Sequence, residues 1–257
     1  MRFAEFLERY VYVRTCVGCG ERMGYEYRDE AFCDACRIAF ERAKVASCPE
    51  CFAAMAECRC MPKSLSSAGV LEYRKLVAYV SDRASCPENK LLYFIKHRKN
   101  KRVALFVANQ LLYKVDEMLS ANALCREDVV IAYLPRSRRS YAKYGVDQAK
   151  LVCELISEVS GIACLPLIKR RKCGRREQKS LGIKKRMKNA AKSFEIDEEY
   201  ISECRSRPVI LFDDIVTSGA SMATAAKLLG REGIENIYAL SVAYSVKEKS
   251  RANFIFR

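Results

Sequence analysis

From position 129 onward the chain alternates short apolar runs with helically spaced apolar stripes. Val129–Leu134 is an apolar run closed by Pro135 and predicts a strand. Over Gly145–Val159, residues Ala149, Val152, Cys153 and Ile156 fall on one stripe and predict a helix. Ile162–Ile168 predicts a strand, Val209–Phe212 a buried strand, Ala220–Leu229 a helix and Ile237–Val242 a further strand. Strands alternating with helices predict an α/β domain, a largely parallel sheet with helices on both faces. Upstream, Leu76–Val80 predicts a strand, and Lys90–Lys96 and Val103–Leu119 predict helices, with the basic run Lys96–Arg102 between them. Met1–Tyr12 sets Phe3, Phe6, Leu7 and Tyr10 on one face, as a short amphipathic helix would. Met61–Gly69 contains Pro, three Ser and Gly and reads as a linker, dividing the chain into a module of residues 1–62 and a domain of residues 70–257. Residues 169–207 follow neither period and are expected to include a long basic loop.

Composition narrows the class. Half of the 257 residues are apolar, enough for a sizeable core. No apolar run approaches the ~18 residues of a spanning helix, and the charged N-terminus lacks a signal-type stretch. A soluble, cytoplasmic protein is expected. The formal charge of +15 favours a polyanionic partner. Most of the excess lies in Lys169–Lys188, with eleven Lys or Arg against one Glu.

Eight of the fourteen cysteines fall within the first sixty residues. In a reducing compartment such clustering points to metal rather than disulfides. Cys16-Val-Gly-Cys19 and Cys33-Asp-Ala-Cys36 have zinc-ribbon spacing, two turns that each present two thiolates. Cys48-Pro-Glu-Cys51 is followed by Cys58-Arg-Cys60, whose CxC half is less standard. One or two structural zinc ions are expected, because a four-thiolate site leaves no open position for substrate.

The most informative stretch is Val209-Ile-Leu-Phe-Asp213-Asp214-Ile-Val-Thr217-Ser218-Gly219-Ala220-Ser221. Two acids stand at the end of an apolar strand, where open α/β sheets bind ligands. The Thr-Ser-Gly-Ala-Ser turn then opens a helix whose first N–H groups favour a phosphate. Thr217, Ser218 and Ser221 add hydroxyl donors, and Gly219 permits close approach. Acids beside a phosphate cradle make sense if they serve hydroxyls or Mg²⁺, and a ribose 5-phosphate has both ends. The stretch resembles the motif by which type I phosphoribosyltransferases bind 5-phosphoribosyl-1-pyrophosphate (PRPP). That resemblance implies that Asp213 and Asp214 take the ribose hydroxyls, that Thr217–Ser221 takes the 5-phosphate, and that Mg²⁺ accompanies PRPP.

A basic turn, Pro135-Arg136-Ser-Arg138-Arg139, follows the strand Val129–Leu134 at the same expected sheet edge and is suited to a pyrophosphate. Together with Lys96, Tyr144-Gly145-Val-Asp147-Gln148, the segment Arg171 to Phe194 and the cysteine module, the chain resembles the ComF-type competence family in a double zinc-ribbon form. It departs from that family at Tyr144, where the family commonly carries a basic residue. The resemblance implies a phosphate-binding set of Lys96, Pro135, Arg136, Arg138 and Arg139, and a role in natural transformation.

Three functional readings follow. In the first, the PRPP pocket belongs to a protein that handles single-stranded DNA, with competence proteins such as a helicase as possible partners. Arg171, Lys172, Arg175, Arg176, Lys184, Lys185 and Arg186 then form part of an electrostatic track, with Tyr141 and Tyr144 as candidates for base stacking. In the second, the chain is an active Mg²⁺-dependent phosphoribosyltransferase, and Lys184, Lys185 or Arg186 neutralises the leaving pyrophosphate. No recognisable base-binding hood accompanies that reading. In the third, PRPP or a nucleotide shifts affinity for DNA or a partner.

Overall fold

The computed structural model describes residues 14–81, 84–171 and 193–246. The expected helix at Met1–Tyr12 and the expected loop residues Lys172, Arg175, Arg176, Lys184, Lys185 and Arg186 lie outside them.

The α/β architecture expected from the pattern is present. Five strands form one sheet in the order β3 (Val70–Tyr79), β9 (Ile237–Ser245), β8 (Val209–Val216), β4 (Val130–Tyr133) and β5 (Ala163–Cys164). Every neighbouring pair is parallel. A central parallel strand is covered on both faces, so it reads as a continuous apolar run rather than an alternating one. In β8, Ile210 and Phe212 enter the core beneath one helical layer and Val209 and Leu211 the core beneath the other. The first layer holds α3 (Pro87–His97), α4 (Lys101–Ala121) and α6 (Gln148–Ser160). The second holds the short helices α2 (Lys63–Ser66) and α7 (Glu198–Ile201) and the longer α8 (Ala220–Arg231).

Strand order fixes where a ligand can sit. The connection leaving β4 runs outward to β5, whereas the one leaving β8 runs the other way to β9. The switch point therefore lies between β4 and β8, and the crevice beyond their C-terminal ends is where such sheets bind ligands.

Several elements differ from expectation for identifiable reasons. Strand β3 begins at Val70 rather than Leu76, because it pairs with β9 from Val70↔Ile237 onward. The run Ile162–Ile168 is two strands rather than one: β5 pairs with β4, and β6 (Ile168–Arg170) forms an antiparallel hairpin with β7 (Phe194–Ile196). Helix α6 begins at Gln148 because Asp147 caps it, its side chain accepting from Lys150 N. Gly145, left-handed at φ 67°, instead ends the short helix α5 (Arg138–Tyr144).

The cysteine module opens with a two-stranded hairpin, β1 (Arg14–Thr15) and β2 (Arg22–Met23), followed by α1 (Asp34–Val45). It is continuous with the main core. Phe32, Phe40 and Phe106 of α4 pack with ring centroids 5.4 to 5.9 Å apart. The segment expected as a linker carries α2, with Leu65 fully buried. Two of its serines are engaged, Ser64 Oγ donating to Ser218 O and Ser66 Oγ to Lys63 O.

Candidate sugar-phosphate site and metal centres

Beyond the ends of β4 and β8 lies a polar cleft of about 200 Å³. Its walls include Asp213, Asp214 and Ser221 from the β8–α8 turn, Pro135 and Arg136 after β4, and Lys96 from α3. Residues far apart in sequence thus meet at the switch point. Arg138 and Arg139 do not line this cleft. Arg138 borders a neighbouring open cleft of about 810 Å³ with Lys169, Arg170, Arg171 and Glu195. Arg139 is exposed on α5. Of the turn, Thr217 and Ser218 are exposed and Gly219 is buried.

The two acids are not equivalent. Asp214 is 7% exposed, and both of its oxygens are engaged. Oδ1 accepts from Ile215 N at 2.8 Å and Oδ2 from Gln148 Nε2 at 2.9 Å. Asp213 is less enclosed, and its Oδ1 accepts from Asp214 N at 3.0 Å. Burial, and then the Asp214 charge beside it, push the Asp213 carboxyl well above the usual carboxylate range, with Lys96 pulling the other way. A cation or a set of hydroxyl donors placed at Asp213 would relieve that repulsion.

Arg136 is tied into the cleft wall. Its Nη1 donates to Gln148 Oε1 at 2.7 Å and to Val146 O at 3.2 Å, its backbone N donates to Asp147 Oδ2 at 2.8 Å, and its guanidinium lies 4.6 Å from the Tyr144 ring centroid. Arg170, also lining the cleft, donates to Pro135 O at 2.9 Å and lies over Phe194 at 4.3 Å. Tyr144 and His97 meet edge to face at 4.5 Å, and His97 lies 4.2 Å from exposed Tyr93, so Tyr144 already has ring partners.

The turn has a built conformation. Gly219 precedes α8 with φ 71°, the left-handed region where a side chain is strained. Helix α8 then presents its first-turn N–H groups, which have no intrahelical acceptor. Ser64 Oγ donates to Ser218 O at 2.6 Å from below.

Of the residues singled out in the sequence, the cleft brings together Asp213, Asp214, Ser221, Lys96, Pro135 and Arg136. The contacts made by Gln148, Arg170 and Ser64 were not foreseen. A Gln at a helix start and an Arg in a short strand carry no local signal of what they will face. Ser64 was hidden inside an apparent linker.

Both cysteine quartets assemble. In Cys16–Cys19–Cys33–Cys36 and in Cys48–Cys51–Cys58–Cys60, all four sulfurs lie within 4.8 Å of one another. Zinc–sulfur bonds of ~2.3 Å make a tetrahedron with edges of ~3.8 Å. The Cys19–Cys33 and Cys51–Cys58 sulfurs stand 3.7 and 3.6 Å apart. Burial acts to raise the Cys16 thiol, but N–H groups of Cys19, Cys33 and Gly18 bring it down to about 7, towards the thiolate a metal needs. A Cβ on Gly18 would strike Cys36 Sγ at 2.5 Å, so that position must lack a side chain. Both quartets could hold zinc, and the CxC half of the second is no obstacle to its assembly.

No protein-family model matches the chain. The chain is 26% identical over 210 residues to the DNA utilization protein YhgH of Salmonella typhimurium, covering 80% of this chain and 86% of that protein. It is 25% identical, over the same shares, to the DNA utilization protein YhgH of Salmonella typhi. A solved structure of adenine phosphoribosyltransferase from Leishmania tarentolae aligns with a TM-score of 0.34 at 12% identity, covering 60% of this chain and 76% of that one. Among the described residues, no helix is long and apolar enough to cross a membrane.

Proposed function

We propose that the cleft binds PRPP or a related ribose 5-phosphate, and that the chain is a ComF-like, phosphoribosyltransferase-fold protein that handles single-stranded DNA in natural transformation. The observation that carries the ligand reading is the meeting of Asp213, Asp214 and Ser221 with Lys96 and Arg136 around one cleft at the switch point. Asp213 and Asp214 would receive ribose hydroxyls, and the Thr217–Ser221 turn would receive the 5-phosphate on N–H and hydroxyl donors. Lys96 and Arg136 line the same cleft and would supply cations to a pyrophosphate. Asp213 is suited to receive Mg²⁺, which would supply charge neutralisation to a bound pyrophosphate. DNA handling is supported by the similarity to DNA utilization proteins and by the charge of +15. The neighbouring cleft formed by Arg138, Lys169, Arg170 and Arg171 offers a phosphodiester strand a place beside the sugar-phosphate site.

The second reading is turnover. It is favoured by the cationic wall, since Lys96 and Arg136 would stabilise a departing pyrophosphate while Asp213 faces the ribose. No protein nucleophile is required. Calorimetric titration with PRPP and Mg²⁺, followed by a pyrophosphate-release assay over bases, amines and nucleotides, separates the readings. Binding without release supports the DNA-handling protein, and release makes it an enzyme and names the acceptor. If the protein does not bind PRPP, the assignment of the turn is wrong.

A further inference from the structure

The segment joining the second cysteine quartet to β3 runs directly beneath the sugar-phosphate turn. The backbone carbonyls of Cys58 and Cys60 both accept from Lys75 Nζ, each at 2.9 Å. Lys75 is 1% exposed, and its ammonium also lies 4.9 Å from the Tyr73 ring centroid. A buried ammonium is costly unless its donors are satisfied. The two carbonyls are therefore held in one place from two sides, by Lys75 and by the sulfurs of their own residues within the quartet.

Only Met61, Pro62 and Lys63 separate Cys60 from Ser64. Pro62 has a fixed φ and precedes α2. Ser64 Oγ then donates to Ser218 O at 2.6 Å, and Leu65, fully buried, shares a core with Met222 of α8. A Cβ on Gly219 would meet Ser64 Oγ at 2.6 Å and Leu65 Cγ at 3.1 Å. The turn is thus seated on α2, and α2 is spaced from the quartet by a short, stiff segment.

We infer that zinc in the Cys48–Cys51–Cys58–Cys60 quartet sets the conformation of the Thr217–Ser221 turn through Ser64 and Leu65, so that metal loading and 5-phosphate binding are coupled. The inference rests on the reading of that turn as the phosphate site. Ser64 is a positioning residue: it touches the backbone of the turn and acts on the ligand through it. The first quartet supplies an internal control. It packs through Phe32 and Phe40 against α4, on the opposite face of the sheet from α8. Coupling of two binding equilibria is reciprocal. Ligand binding must then retard loss of the second metal as surely as metal loss weakens ligand binding.

The test uses the full chain loaded with zinc. Zinc transfer to a colorimetric chelator is followed with and without saturating PRPP and Mg²⁺, and PRPP binding to the same sample is measured by calorimetry. The expected result is two phases of release, of which PRPP slows one by about tenfold, within the usual range of coupling between sites. Cys60→Ser removes the phase that PRPP slows. Ser64→Ala keeps the zinc content of the wild type, weakens PRPP binding several-fold and loses the slowing even at saturating PRPP. Wild-type protein that binds PRPP but releases both metals at unchanged rates overturns the coupling, as does full slowing in Ser64→Ala. Wild-type protein that binds no PRPP removes the phosphate reading and this inference with it, an outcome the calorimetry shows separately.

Discussion

Gln148 stands between Asp214 and Arg136, donating from Nε2 to Asp214 Oδ2 at 2.9 Å and accepting at Oε1 from Arg136 Nη1 at 2.7 Å. One amide thereby fixes an acid of β8 and a cation of the β4 loop across the switch point. Its removal leaves a buried carboxylate short of a donor, at a cost of about 1.5–3 kcal/mol. Gln148→Ala is expected to lower the denaturant midpoint accordingly and to weaken PRPP binding about tenfold. Gln148→Glu, which sets a like charge against Asp214, should be worse on both counts. An alanine variant with unchanged midpoint and unchanged affinity would show that the bridge is idle.

The raised Asp213 carboxyl has a consequence for stability. Its folded value lies above the unfolded one, so its contribution is fully present below the unfolded value of ~3.9 and is lost as pH rises through the folded value. Asp213→Asn removes that loss. The variant is expected to melt with the wild type near pH 4 and progressively above it as pH increases, while losing PRPP binding at every pH. Melting curves across pH check the sign. A gap that closes with rising pH would mean that Asp213 is stabilised as the anion.

Much of this site was legible in the sequence. The run Val209–Phe212 followed by two acids and a Gly-containing turn names a strand end, a ligand edge and a helix start in thirteen residues, because each step depends on local chemistry. The two cysteine quartets, which could hold zinc, were also visible in their spacing, the CxC half of the second less clearly than the rest. What stayed hidden depends on tertiary placement. Lys75, in a strand, turned out to be buried against cysteine carbonyls. Arg136, expected to face a ligand, is shared with Gln148 and Val146. Met61–Gly69 has a linker's composition, yet Leu65 at its centre is core. Composition reports what a segment tolerates, not what folds onto it.

The aromatic trio predicts how metal and fold are linked. Phe32 and Phe40 belong to the cysteine module and Phe106 to α4, and all three are buried in one core. Loss of metal from the first quartet should therefore loosen α4 as well as α1, on the face of the sheet away from the Thr217–Ser221 turn. Chelation is expected to expose amides of α4 to hydrogen exchange along with those of α1. Phe40→Ala should cost about 3–5 kcal/mol in a single cooperative transition. Exchange confined to the module would show that the two parts unfold independently.

A second pH effect runs in the opposite direction. Glu57 accepts from Lys114 Nζ at 2.9 Å, and that hydrogen bond holds its carboxyl below the usual range. A depressed folded value gives stability that is present above the unfolded value of ~4.3 and is lost as pH falls through the folded value. Glu57→Gln should therefore lie below the wild type at neutral pH, by a small margin because Glu57 itself is largely exposed, and meet it in acid, so that the acid limb of the stability curve is flattened. An acid limb identical to that of the wild type would assign the effect to other carboxylates.

The basic cleft beside the site makes a graded prediction for single-stranded DNA. Lys169 is paired with Asp197 at 3.5 Å and Arg171 with Glu195 at 3.6 Å, across the β6–β7 hairpin. Both pairs are substantially exposed, so each cation is only partly neutralised. Arg138, on α5, faces them across the cleft. Each phosphate contact on a single strand contributes about −0.7 to the slope of log affinity against log salt. Arg138→Glu is expected to weaken binding and flatten that slope by about 0.7, with smaller effects for Lys169→Glu and Arg171→Glu, whose charges are already shared. PRPP binding should survive all three, since these residues lie outside the cleft of Asp213 and Ser221 apart from their common neighbour Arg170. An unchanged slope in the triple variant would place the DNA path elsewhere on the molecule, whereas loss of PRPP binding in the same variant would mean that the two clefts work as one.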